Sequence, residues 1–295
     1  MKLMKFIEDA KMLVKTAIET IDQQSFTAAY NNTFELVEAV TPEQKNKAFR
    51  LRYKVYCEEH GCECTPDPGN YMEQDEFDDH AVHYLLMHRI SGETVGTLRV
   101  VIPNDECPAE SLPIQKHCDH PLLQMDSRVL SLCEISRFCM APRFRKRAQD
   151  GQFLSSYYNQ DMIEGQQEGK TVFVRRRITY PQAALLRGAF EAALQARITE
   201  CVWMVEPKHL PSLNQIGFTY RVLGPSVPLH GGLQPLVFNI KHVLDTMHRK
   251  DPACWDIVSD SGRLQAMADE LARNDWQDSL IDQECREKIL ERLGA

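Results

Sequence analysis

A chain of 295 residues with 34 Lys+Arg against 42 Asp+Glu has a formal charge of −8, and 43% of it is apolar. That composition allows one large or two small domains with a substantial core, and it excludes pervasive disorder and nucleic acid as the main partner. No stretch reaches the roughly 18–20 uninterrupted apolar residues of a membrane-spanning helix. Lys5, Glu8, Asp9 and Lys11 interrupt the place where a signal peptide needs its apolar run, so export is not expected. Ten cysteines without a repeating framework suit a reduced protein of the cytoplasm.

Apolar residues at helical spacing, among them Leu3, Ile7, Ala10, Leu13 and Val14, predict an N-terminal helix from Met1 to about Tyr30. Phe34 to Val40 alternates as a strand does. Thr41-Pro42-Glu43-Gln44 then supplies an N-cap, a proline at the first helical position and a glutamine three after the cap, which predicts a helix through FRLRYKVYCEEH stopping at Gly61. The polar stretch from Cys62 to Asp79 reads as a loop ending in the acidic run EQDEFDD. HAVHYLLMHRI and TVGTLRVVI, separated by Ser91-Gly92-Glu93, form a hairpin. A third strand runs from Leu130 to Ala141, followed by the basic turn PRFRKRAQDG and a polar stretch, SSYYNQDMIEGQQEGK, read as helical. Pro181 opens a helix through AALLRGAFEAALQAR, whose Leu185, Ala189, Ala193 and Leu194 share one face. ECVWMV is a buried strand, PKHLPSLNQIG a short helix, FTYRVLG and PLVFNI two further strands, and the tail from about Asp245 is helical. The order predicts an α+β fold of mixed layers, with a main domain over 1–244 and a helical extension over 245–295.

The third strand carries the chemistry. Strict alternation in CEISRF sends Glu134 and Ser136 to one face and Arg137 to the other, yet apolar residues flank them on both parities, so at least one charge is buried. A buried carboxylate is either paired or raised in pKa, and the raised one is a candidate general base. Arg99 in the preceding strand and Arg52 in the covering helix are candidate cationic partners. Asp75 and Asp78 could clamp an amine or an arginine, although from spacing alone an acidic loop in solvent is the favoured reading.

In this order R-x-x-V-Y in LRYKVYCEE, D-x-x-D in DEFD, G-x-L-R in GTLRV and E-x-S-R-F in CEISRF resemble the acyl-homoserine-lactone autoinducer synthases and the related N-acyl amino acid synthases, acyltransferases of the GNAT fold. The resemblance implies a GNAT-like fold with helical extensions at both ends. It implies catalytic roles for Glu134, Ser136, Arg137 and Arg99, with Glu134 as the base for an acceptor amine. It assigns substrate binding to Arg52, Tyr56, Asp75 and Asp78, and places Phe138, Cys139 and Met140 where a splayed strand meets a pantetheine arm. Arg143, Arg145, Lys146 and Arg147 would meet an acyl carrier protein or the phosphate of coenzyme A. The co-substrate would be an acyl thioester on either carrier, with no tightly bound cofactor and no metal. The overall look is similar to the bacterial acyltransferases associated with PEP-CTERM and exosortase gene clusters. Two departures matter: Cys62 stands near the position of the synthases' tryptophan, which points away from S-adenosylmethionine as acceptor, and the phosphate loop R/Q-x-x-G-x-G/A is absent from RFRKRAQDG, which points away from ordinary acetyl-CoA.

The expected activity is therefore transfer of a fatty acyl group to the amine of an amino acid or similar small acceptor. The alternatives are a lactone-forming synthase that uses S-adenosylmethionine and a module that binds acyl chain or carrier without turnover. Val101, Ile135, Trp203 and Val205 are equally pocket or core candidates. Cys57, His60, Cys62 and Cys64 lack zinc-knuckle spacing and read as reduced and incidental. A nucleophilic Cys133 or Cys139 would open a ping-pong route, but no histidine is placed to activate either, so direct transfer is the simpler expectation. Arg175, Arg176 and Arg177 read as a solvated strand end or a carrier contact.

Overall fold

The computed structural model describes residues 26–61, 71–104, 106–144, 157–158, 164–167, 170–173, 177–178, 181–229 and 231–273. Helix α1 (26–33) leads into β1 (Phe34–Glu38). Helix α2 (Pro42–Arg52) begins as its sequence requires, with Thr41 and Gln44 forming a reciprocal capping box and Pro42 at a position that needs no N–H donor. It continues as a π-helical stretch, Tyr53–Glu59, and the left-handed Gly61 (φ 63°) follows. Strands β2 (Ala81–His88) and β3 (Thr94–Val101) form the expected hairpin. A short helix α3 (Asp126–Val129) precedes β4 (Leu132–Met140).

Beyond β4, strand β5 (Tyr157–Tyr158) pairs with β8 (Arg177–Ile178), and β6 (Glu164–Gln167) pairs with β7 (Lys170–Phe173). The stretch read as helical thus contains strands where it is described; it has no 3.6-residue apolar period to hold a helix on a core. Helix α4 (Ala183–Gln195), strand β9 (Glu200–Val205), helix α5 (Leu210–Gln215), and strands β10 (Arg221–Val222) and β11 (Gln234–Asn239) follow. Helices α6 (Ile240–Lys250), α7 (Pro252–Val258) and 263–273 complete the described chain. No helix among the described residues is long and apolar enough to cross a membrane.

One seven-stranded sheet, ordered β1-β2-β3-β4-β9-β11-β10, organises the molecule. All neighbours are antiparallel except β4 and β9, which run parallel and are joined through α4. This mixed sheet is the α+β architecture that the element order predicts. On one face Tyr84, Leu86, Leu98, Val100, Cys133, Ile135 and Trp203 pack against α4, with Val243, Leu244, Ile257 and Leu264 from the C-terminal helices in the same core. On the other face α2 and the segments 71–80 and 106–131 cover His83, Arg99 and Glu134. The apolar face therefore holds the sheet together, and the polar face carries the charged residues.

Two features close the α4 side. Gly188 lets α4 approach β2 so closely that a Cβ there would lie 2.7 Å from Cγ of Tyr84. The Tyr30 hydroxyl, brought by α1, donates to the Pro181 carbonyl and accepts from the Ala184 N–H, which occupies the N-terminal end of α4. Gly188→Ala gains helix propensity but forces the helix off a ring that cannot swing away; overpacking should dominate at about 1–3 kcal/mol. Thermal unfolding of the variant is expected to show a lower midpoint than wild type, and an unchanged or higher midpoint would contradict this packing.

Candidate active site

The acidic loop and β4 meet in a closed ring of charge. Arg52 donates from Nε to Glu73 and from Nη1 and Nη2 to Asp78 at 2.7 and 3.1 Å. Arg99 donates from Nη1 to Asp75, and to Asp78 at 2.8 Å, while its Nε donates to the Ser136 hydroxyl at 2.9 Å. Arg137 donates from Nε to Glu73 at 2.9 Å and from Nη2 to Asp75 at 2.8 Å. Each arginine bridges two carboxylates and each carboxylate bridges two arginines. Arg52 and Arg99 are 1% and 0% exposed, whereas the Arg137 side chain keeps 28% and faces the open side.

Local folding explains how the acids reach this place. Asp75 caps the short 3₁₀ turn Glu76–His80, accepting from the Phe77 N–H at 3.0 Å, and Asp78 reaches back to accept from the Asp75 N–H at 2.8 Å. The same carboxylates therefore form the turn and bind the arginines. Burial works to raise the pKa of Glu73, Asp75 and Asp78, and the arginine charges outweigh it, so all three are held below the ordinary carboxylate range.

Arg137 reaches the ring because β4 is bulged. Thr97 pairs with Cys139 but Arg99 with Ser136, so β4 spends one extra residue, and Arg137 sits in the left-handed region at φ 51°. Strict alternation, which assigned Arg137 to the opposite face, is thereby corrected: Ser136 and Arg137 serve the same face and the pattern flips beyond them. Phe138 then turns to the apolar side, where its ring lies 5.6 Å from Trp203, while Cys139 packs with Leu51 and Val55, and Met140 joins the main core. The β4–β9 ladder covers Leu132 to Ile135 on β4, so the bulge lies just past its end. Tyr56, on the π-helical stretch, donates its hydroxyl to the Phe138 carbonyl at 3.3 Å and places its ring under the Arg137 guanidinium at 5.8 Å.

Glu134 stands apart from the ring on the same face. It is 1% exposed; Oε2 accepts from the Ile114 N–H at 2.7 Å, and Oε1 has no partner among the described residues. Burial pushes its pKa up to about 8, against the lowering effects of the Ile114 N–H and the charges of Arg99 and Arg137. Arg99 Nη2 is likewise buried without a partner among the described residues. His83, the register partner of Arg99, rests edge-on against Phe49 and is kept neutral by burial, its pKa lowered to about 4.

Of the residues nominated from sequence, Arg52, Asp75, Asp78, Arg99, Ser136 and Arg137 form one bonded network, with Tyr56 against it and Glu134 beside it. Arg143 is exposed and pairs with Glu93 at 2.8 Å; Arg145, Lys146 and Arg147, like the triplet Arg175, Arg176 and Arg177, belong to or border stretches outside the described residues. Cys133 is fully buried on the apolar face with its thiol 3.3 Å from that of Cys201. Cys57 is disulfide-bonded, which corrects the reading of Cys57 as reduced; Cys62 and Cys64 lie outside the described residues. Val101, Ile135, Trp203 and Val205 are core residues. Glu73 was missed, although it lies in the same acidic run two residues before Asp75. No group of three or more potential metal ligands occurs among the described residues.

Residues 51–153 match the model of the acetyltransferase (GNAT) domain, a stretch that holds the whole ring and Glu134. No curated protein matches the chain. Among solved structures the chain is similar to TofI in a ternary complex with an inhibitor and MTA, at 18% identity and a TM-score of 0.48 over 75% of this chain and 99% of that one. It is similar to BjaI, a CoA-dependent acyl-homoserine lactone synthase with SAM and isopentyl-CoA, at 19% identity and a TM-score of 0.47 over 74% of this chain and 88% of that one. It is also similar to FeeM, an N-acyl amino acid synthase from uncultured soil microbes, at 14% identity and a TM-score of 0.46 over 72% of this chain and 93% of that one.

The raised pKa of Glu134 has a stability consequence with a definite sign. Below its ordinary value of 4.5 the carboxyl is protonated in both folded and unfolded chains and contributes fully. Between 4.5 and about 8 the folded chain holds a proton that the unfolded chain has released, so the contribution falls with rising pH and is lost above about 8. Relative to Glu134→Gln, which does not titrate, wild type should lose about 1.4 kcal/mol per pH unit across that window and then level off. Denaturant unfolding of both proteins from acid to alkaline pH measures this, and a flat difference would mean the carboxyl is not raised.

Proposed function

We propose that this chain, which carries an acetyltransferase (GNAT) domain, is a cytoplasmic N-acyltransferase. It moves a fatty acyl group from an acyl carrier protein thioester to the amine of an amino acid or similar small acceptor, with Glu134 as general base. The observation that supports this most directly is the Glu134 carboxyl itself: buried, pinned through one oxygen, open at the other and raised to about 8. A general base works best with a pKa near the operating pH, and this one is neutral enough to be tolerated in the core and basic enough to take a proton from an ammonium centre.

The chemistry balances without further reagents. The acceptor nitrogen attacks the thioester carbonyl carbon, forming a C–N bond; Glu134 Oε1 receives the proton that nitrogen loses; the carbonyl re-forms as the C–S bond breaks, and that same proton passes on to the departing thiolate sulfur, which returns Glu134 to its ionised form. A thioester is already activated, so the protein's task is to hold amine and carbonyl in line and to complement the developing charge. Arg137, whose side chain is the most accessible of the ring's arginines, lies at the bulge where β4 has left β9 and is the ring residue best placed to meet substrate.

Carrier protein is favoured over coenzyme A by α4. A helix N-terminus on a β-α-β crossover is a ready phosphate site, but here Tyr30 takes the Ala184 N–H and Gln182, Ala183 and Ala184 are buried. The absence of the glycine-bearing phosphate loop from RFRKRAQDG agrees.

The purified protein should convert long-chain acyl carrier protein and an amino-acid mixture into an N-acyl product detectable by mass spectrometry. Glu134→Gln should lower kcat by about 10²–10⁴-fold. In wild type, kcat/KM should rise with pH through a midpoint near 8 and level off above it, the base being active only when ionised. Release of methylthioadenosine from S-adenosylmethionine would instead establish the lactone-forming reaction, and carrier binding with intact thioester across a broad acceptor panel would establish a binding module.

A further inference from the structure

Glu134 is held by a main-chain group from a segment that the catalytic reading does not use. Its Oε2 accepts from the Ile114 N–H at 2.7 Å, and Ile114 is itself fully buried. Ile114 lies in the 3₁₀ turn Pro113–Lys116 between β3 and β4, and this turn is firmly tied. The Leu112 N–H donates to Gln115 Oε1 at 2.9 Å, Gln115 Nε2 donates to the Leu123 carbonyl at 2.9 Å, and the Cys118 N–H returns to the Ile114 carbonyl at 3.0 Å. Leu112, Ile114, Leu123 and Val129 share a buried cluster with Phe77. Phe77 belongs to the turn whose Asp75 and Asp78 bind the arginines, and Lys116 pairs with Glu76 of that turn. The donor to the base and the acids of the ring are thus parts of one packed unit.

We propose that Ile114 is a positioning residue for acyl transfer: its backbone N–H fixes Oε2 of Glu134, so that Oε1 alone is presented to the acceptor amine. The proposal rests on the reading of Glu134 as base. The charged groups that bear on Glu134 are Arg99 of β3, Arg137 of β4 and Asp75 of the acidic turn, while β9 presents the apolar Val202 as its register partner. The Ile114 N–H is the donor that bonds the carboxylate directly. A donor of this kind favours the ionised form, so it also keeps the base active at lower pH than burial alone would allow.

Two measurements test this. In ¹⁵N-labelled wild type, the Ile114 amide proton should move downfield as Glu134 ionises, with a midpoint near 8, and should not titrate in Glu134→Gln. Ile114→Pro removes the N–H; kcat should fall with acceptor KM little changed, and the acid limb of the pH profile should move up by about one pH unit. Ile114→Val, which keeps the N–H, should behave as wild type. If Ile114→Pro does not fold, the amide titration in wild type decides. An amide that ignores the ionisation, or an unmoved acid limb in folded Ile114→Pro, overturns the proposal while leaving the base intact. An amide that titrates in an enzyme whose rate is indifferent to Glu134→Gln overturns the reading of Glu134 instead.

Discussion

Arg52, Arg99 and Arg137 come from a helix and two strands, and a single stretch, Glu73 to Asp78, ties them together. A buried ion pair is costly to desolvate, and that cost is offset only when the geometry is good and further hydrogen bonds satisfy the charged groups, Arg99 Nη2 being the one buried donor of the ring left without a partner among the described residues. Here the bonds close on themselves, so removing any member leaves two others short of a partner. The ring is therefore an all-or-none device: it forces α2, β3, β4 and the acidic turn into one arrangement, and the neighbouring Phe77 cluster extends that arrangement to the segment before β4. Its carboxylates and guanidiniums also balance, so it brings no surplus charge into the core.

The bulge in β4 is what makes a ring of this shape possible. Without the extra residue, Arg137 would face α4 and the apolar core, where its charge could not be satisfied. With it, Ser136 and Arg137 turn to the same face, and the left-handed backbone at Arg137 is stabilised by two carboxylates that hold its side chain. The bulge also follows directly on the last β4–β9 pairing at Ile135, so the strand leaves its parallel neighbour at the point where its pattern changes. Tyr56 and Phe138 brace that departure from opposite sides, one at the Phe138 carbonyl and one against Trp203.

What could be read in the sequence was what depends on near neighbours. Thr41, Pro42 and Gln44 announce a helix start because the capping box is a three-residue interaction, and the Ser91-Gly92 turn announces the β2–β3 hairpin for the same reason. The ring was partly legible, since burying arginines and acids on adjoining elements leaves few alternatives to pairing them. Glu73 is not marked by the i, i+3 spacing of Asp75 and Asp78, because Glu73 and Asp75 share a face only on the extended chain before the turn. The facing of Arg137 was misread because one inserted residue reverses every later position, and a bulge is set by the partner strand. Ile114 left no signal, as its contribution is a main-chain N–H that any residue but proline carries. Tyr157–Tyr158 and Glu164–Gln167 are strands inside a stretch that reads as helical, because polar, aperiodic sequence offers neither a period of two nor of 3.6.

The value of about 8 for Glu134 is a balance among these parts. Burial alone drives a carboxyl toward permanent protonation, which would leave it an acid with nothing to accept. The Ile114 N–H, with the charges of Arg99 and Arg137, draws it back, while Asp75 opposes them. Because Asp75 is already committed to Arg99 and Arg137, its repulsion is blunted by the same bonds that close the ring. The network beside Glu134 thus acts on it through a small residual field, and Oε1 keeps no partner among the described residues. The ring thus works as an electrostatic restraint: it places two cations, Arg99 and Arg137, near a buried carboxyl without letting them fix it in its ionised form.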